Sequence, residues 1–121
     1  MITSPTIMID EWRHGSAAVL RLAGRLDSRA APALEARLAG LEAVPMVVID
    51  FAGVEYITGT CLRLLVLAAR RMNASGCRLS LCVPQEPVLD VLRISGLTRM
   101  LHVYADRATA LAEVDRLGES E

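Results

Sequence analysis

The sequence has no lysine. Its 13 basic residues are all arginine, scattered along the chain against 14 acidic residues, for a formal net charge of −1. There is no basic block and no interleaving of aromatic with basic residues, so no surface for nucleic acid is indicated. The missing lysine is a compositional bias and carries no functional reading. Aromatic residues make up only 3% of the chain, so the core has to be aliphatic. The three cysteines, Cys61, Cys77 and Cys82, are odd in number and form no C-x-x-C pair. That argues against a disulfide framework or a zinc site and leaves small hydrophobes in a reducing cytosol. No apolar run is long enough to span a bilayer: the richest, around Leu62 to Ala69, contains Arg63. The N-terminal stretch MITSPTIMIDEW has no basic segment and no long apolar segment, which predicts no signal peptide. A cytoplasmic protein with no direct membrane insertion is expected.

Catalytic signatures are missing as well. The chain has no G-x-x-x-x-G-K-[ST] phosphate loop, no G-x-G-x-x-G fingerprint and no G-x-S-x-G elbow. His14 and His102 stand far apart, and neither has a cysteine or carboxylate at metal-ligand spacing. Nothing calls for a cofactor or a metal, and the protein is expected not to be an enzyme.

What the chain does have is apolar periodicity. It is 53% hydrophobic and 22% charged over 121 residues, which suits one domain around one core. Ile7 to Trp12 alternates as a half-buried strand, His14-Gly15-Ser16 is a turn, and Ala17 to Ala23 is a second strand closed by Gly24. Together they predict an antiparallel hairpin. Asp27 or Ser28 can cap a helix carrying Ala31, Leu34, Leu38 and Leu41. Pro45 ends the turn that follows. Met46 to Phe51 is nearly all apolar and β-branched, the pattern of a central strand buried on both faces. Asp50 lies near its carboxyl end. After Thr58-Gly59-Thr60 comes a helix with Leu62, Leu65, Val66, Ala69 and Met72 on one face, stopped by Gly76 at C′. Arg78 to Val83 alternates as a strand ended by Pro84. Glu86-Pro87 opens a third helix that Gly96 stops. His102 to Tyr104 is a short last strand, and Asp106 can cap a final helix with Ala110, Leu111, Val114 and Leu117. The tail from Gly118 to Glu121 is expected to fray. The order ββαβαβαβα predicts a single α/β domain: a mixed, mostly parallel sheet of about five strands with about four helices and right-handed crossovers.

The most informative stretch is VVIDFAGVEYITGTCLRLLVLAARR. It runs from a buried strand through a short loop to a helix N-terminus, where free N–H groups and the positive dipole end favour a cap or an anion. A hydroxyl there is a cap or a phosphorylation site. The stretch resembles the STAS family of anti-sigma factor antagonists. Asp50 matches the family's strand-end aspartate. Val54, Tyr56 and Ile57 match the approach to its DSSG motif, and Leu62, Arg63, Leu64 and Leu65 match the helix after it. Gly24-Arg25-Leu26-Asp27 matches the upstream G-x-L-D. Gly76, the strand from Arg78 to Val83, Ile94-Ser95-Gly96-Leu97 and the region from Ala108 to Leu111 match downstream.

The resemblance implies a regulatory protein that binds a serine/threonine-kinase-type anti-sigma factor. In the family the second serine of DSSG is phosphorylated, and phosphorylation releases the antagonist from that kinase. Thr58, Gly59, Thr60 and Cys61 hold these four positions here. Thr60 is therefore the candidate phosphoacceptor, and Asp27, Thr58, Gly59, Thr60 and Arg63 are the candidate partner-binding residues. Thr58 replaces the motif aspartate and Cys61 its glycine. Next to a helix N-terminus, Cys61 is also a candidate for a lowered pKa and redox sensing. Domains of the family also serve in stressosomes and as small subunits of ABC-type lipid transport systems, so a transporter ATPase or stressosome proteins are alternative partners. A reading of another class makes the strand-end edge, with Asp27, Asp50, Thr58 and Thr60, a sensor site for a nucleotide or other small ligand.

Overall fold

Among the described residues, five strands hydrogen-bond in the order in which the chain makes them. The computed structural model describes residues 7–41, 43–82 and 84–119. β1 (Ile7–His14) and β2 (Ala17–Leu26) form the expected antiparallel hairpin, and β3 (Met46–Ile57), β4 (Arg78–Cys82) and β5 (His102–Tyr104) continue parallel to β2. Helices α1 (Ala31–Ala39), α2 (Gly59–Ala74) and α3 (Glu86–Ile94) make the crossovers, and α4 (Arg107–Glu119) follows β5. Each crossover steps one strand in the same direction, so right-handedness puts α1, α2 and α3 on one face. The chain returns over the other face as α4.

Period-two alternation sorts the strand residues between these faces. Ala18, Leu20 and Leu22 of β2 and Val47, Ile49 and Phe51 of β3 join Leu34, Leu38, Leu65, Met72 and Leu92 in the larger core. Ala17, Val19, Met46, Val48 and Cys82 pack against Ala110 and Val114 of α4. A strand buried on both faces is what the apolar run from Met46 predicts.

The helix stops follow the sequence. Gly76 takes φ +84°, its amide reaches the Asn73 carbonyl at 3.2 Å, and the Cys77 amide reaches that of Met72 at 2.8 Å, a complete Schellman motif. Gly96 takes φ +81° after α3, and the Asp106 carboxylate caps α4 by accepting from the Thr109 amide at 2.7 Å.

Several expectations are corrected. β2 does not close at Gly24 but runs on to Leu26, and β3 runs on to Ile57. Two register shifts, between Arg21 and Ala23 and between Gly24 and Arg25, each set one extra residue of β3 against β2. Such bulges let paired strands bend and continue past a glycine. The shift needs Gly53, where a Cβ would lie 2.8 Å from the Ala23 Cβ and 3.0 Å from the Leu22 carbonyl oxygen. Asp27 does not cap α1, whose N-cap is Ala30 without a side-chain bond. It fixes the preceding turn, its Oδ1 accepting from the amides of Arg29 at 3.0 Å and Ala30 at 3.3 Å. Asp50 stands well inside β3 rather than near its end. α4 extends through Gly118, which was expected in the tail, while Val83 lies outside the described residues.

Candidate functional site

The carboxyl ends of β2 and β3 meet at the N-terminus of α2. Thr58, between β3 and α2, is the N-cap: it is extended (φ −88°, ψ 164°), and its Oγ1 accepts from the Cys61 amide at 3.4 Å. The same hydroxyl donates to the Leu26 carbonyl oxygen at 3.2 Å, which also takes the Thr58 amide at 2.9 Å. The Cys61 thiol donates to the Asp27 carbonyl oxygen at 3.1 Å. The end of β2 is thus bound to the start of α2 by three hydrogen bonds.

Gly59 and Thr60 are the first two residues of α2, and both are exposed. Thr60 sits where the backbone N–H groups have no intrahelical acceptor and the dipole is positive. It lines a groove of about 250 Å³ between α1 and α2, with Ala31, Glu35, Arg63, Leu64, Leu67 and Arg71. At the same end of the sheet, the Arg25 guanidinium lies 4.7 Å above the Tyr56 ring.

Asp27, Thr58, Gly59, Thr60 and Arg63 are therefore brought to one place. Asp50 is not among them. Its parity along β3 points it to the α4 face, where it is 3% exposed. Its Oδ1 accepts from the Ala52 amide at 2.8 Å and its Oδ2 from Arg107 Nη1 at 3.2 Å. The four-residue edge of Asp27, Asp50, Thr58 and Thr60 expected for a small ligand does not assemble. Arg107, which holds Asp50 and lies 5.3 Å from the Trp12 ring centroid, was not singled out from the sequence. Nor was Leu67. Its signal was present: it falls off the apolar face formed by Leu62, Leu65, Val66, Ala69 and Met72, and it is 46% exposed.

Cys61 is fully buried. Burial pushes its thiol pKa up, the hydrogen bond with Thr58 works the other way, and the Asp27 charge adds to the rise. This overturns the expected lowering: the residue is a small buried donor, and a protonated thiol is a poor redox sensor.

Comparison with known proteins places this geometry. A family model described as "Mlab, STAS domain" matches residues 9–102. No curated protein matches the chain. An anti-sigma factor antagonist from Mycobacterium paratuberculosis superposes with a TM-score of 0.81 at 21% identity, over 95% of this chain and 99% of that one. Phosphorylated SpoIIAA, a Bacillus cell fate determinant, gives 0.70 at 22% identity over 89% and 98%. RsbS from Moorella thermoacetica gives 0.77 at 18% identity over 92% and 97%. At these identities the structural likeness speaks for the fold, and the family model carries the assignment: this chain belongs to the STAS family.

Proposed function

We propose that the protein is an anti-sigma factor antagonist-like switch that docks a kinase-type anti-sigma factor through the α2 N-terminus and is released by phosphorylation of Thr60. One observation carries this reading. Of the hydroxyl and thiol groups in the loop and first turn, Thr58 and Cys61 are tied to Leu26 and Asp27, whereas Thr60 is exposed beside a groove. A phosphoryl group there would add a charge of about −1.5 to −2 and three acceptor oxygens. The helix N-terminus tolerates that charge within the domain. At a fitted interface the same charge and bulk break the contact. Such a switch needs no catalytic group on this protein. Asp27, Thr58 and Gly59 shape the loop, and Arg63 lies one turn along α2 on the groove.

The test is intact-mass and phosphosite analysis of protein purified from its own host, with partner affinity measured by calorimetry. Phosphate on Thr60, and a Thr60→Glu variant that binds more weakly than Thr60→Ser, are expected. Phosphate at another residue, or equal affinity for Thr60→Glu and wild type, overturns the switch.

A second reading keeps the face and drops the phosphate: a small subunit docked on a transporter ATPase or on stressosome proteins. Leu64 and Leu67 in the groove favour it, since an apolar contact there needs no charge switch. Recovery of a transporter ATPase in a pull-down, without any kinase-like protein, would support it.

A further inference from the structure

Among the described residues β1 pairs with β2 alone, leaving its outer edge without a strand partner. Edge strands of this kind are ordinarily blunted by a bulge, a proline, short length or charged side chains. β1 has no bulge or proline and runs eight residues, Ile7–His14, in unbroken register with β2; its charges are Asp10, Glu11 and Arg13. Its last five residues read Asp10-Glu11-Trp12-Arg13-His14, two acids, an aromatic, an arginine and a histidine. That order is its own complement when reversed.

Sheet geometry restricts how two such edges can meet. Trp12 packs on the α4 side of the sheet and Ile7 and Ile9 on the side of α1, α2 and α3. A twofold axis perpendicular to the sheet keeps each face on its own side, so opposed residues must share parity. With the axis through Trp12, Asp10 opposes His14 of the second copy and Glu11 opposes Arg13, each pair occurring twice. Moving the axis by one residue either way sets Glu11 against Glu11 or Arg13 against Arg13. Opposite charges across a strand pair stabilise it and like charges oppose it, so the two Glu11–Arg13 pairs favour the register centred on Trp12, and the like-charge pairs disfavour its neighbours.

We propose that β1 is the interface for a second copy of this chain, joined antiparallel about a twofold axis at Trp12 into a continuous sheet. Backbone hydrogen bonds supply the affinity, and the two Glu11–Arg13 pairs supply the register. Within each copy Asp10 lies 3.4 Å from Arg21, Glu11 lies 3.2 Å from Arg37, and His14 lies 2.8 Å from Asp115. Asp10 and Glu11 are exposed and His14 is half-buried, so all three can take a second partner.

Sedimentation velocity of the full chain over a wide concentration range tests this. A reversible monomer–dimer equilibrium is expected. Arg13→Glu should weaken it by about tenfold or more, because each copy then sets two acids against each other, and the double variant Glu11→Arg/Arg13→Glu should restore it. A monomer at every concentration, a dimer indifferent to Arg13→Glu, or a charge swap without rescue overturns the proposal. Circular dichroism checks that the variants fold. Amide exchange on the wild type provides a reading without mutation: the β1 amides not bonded to β2 must gain protection as concentration rises, and no gain also overturns it.

Discussion

The thiol of Cys61 donates to the main-chain oxygen of Asp27 across 3.1 Å, so the residue at the motif's fourth position binds the first turn of α2 to the end of β2. Its neighbour in space, Thr58, does the same with the Leu26 oxygen. These two side-chain contacts, together with the Thr58 amide on the Leu26 oxygen, hold the loop that presents Thr60.

Thr58→Ala removes both the acceptor for the Cys61 amide and the donor to Leu26. A loss of about 1 kcal/mol, within 0.5–2, is expected from the cap. Thr58→Ser keeps both roles and should recover most of it. Thr60→Ala, at an exposed first-turn position, should change stability by less than about 0.5 kcal/mol. Urea unfolding of the three variants checks the ranking, and a Thr60→Ala loss equal to that of Thr58→Ala would contradict it.

Asp50→Ala leaves the Ala52 amide without its acceptor and Arg107 without its carboxylate. The Arg107 side chain is 41% exposed and can rehydrate, so the expected cost is about 1–3 kcal/mol rather than that of a stranded buried charge. Asp50→Asn retains an acceptor for Ala52 and should cost less. A double-mutant cycle with Arg107→Ala should show coupling; additive losses would mean that the ion pair adds nothing.

Two glycines should respond in opposite directions. Gly53→Ala forces a methyl group to within 2.8 Å of the Ala23 Cβ and should destabilise by about 1–3 kcal/mol. At Gly59, on the first turn of α2, a Cβ meets nothing within 4 Å. Gly59→Ala should stabilise by up to about 1 kcal/mol, through helix propensity and a less flexible unfolded chain. Thermal melts of both variants decide this.

All three thiols should resist modification at neutral pH. Each is buried, and burial raises the pKa of Cys61, of Cys77 and of Cys82, the last pushed up to about 12 with the Asp50 charge adding to the rise. A pKa raised in the folded state gives stability that is full below the unfolded value near 9 and fades as pH climbs through the folded value. Unfolding free energy should therefore fall between pH 9 and about 12. Cys82→Ala should flatten that slope. Rapid labelling of Cys61 in native protein at pH 7 would contradict its burial.

Much of the fold was legible because local signals agreed. Gly76 and Gly96 past helix ends, Asp106 before α4 and the β-branched run from Met46 each act within a few residues, and each element stands where its signal predicts. The misreadings came from longer-range causes. Gly24 reads as a strand end, yet pairing with β3 carries β2 past it through bulges that a single strand cannot reveal. Asp27 reads as a helix cap because its turn precedes α1 by only a few residues. Asp50 reads as a strand-end residue because the second half of β3 is no longer apolar.

The sequence by itself determined the element order, the sheet's mostly parallel character and the family resemblance, since periodicity, capping residues and motif spacing are all written along the chain. Only the tertiary structure decided which groups meet. Strand parity sent Asp50 across the sheet to Arg107, 57 residues away, while the crossover from β2 brought Leu26 and Asp27 to Thr58 and Cys61, more than 30 residues on. Those pairings depend on register and handedness, which act between strands and leave no mark at the positions they join.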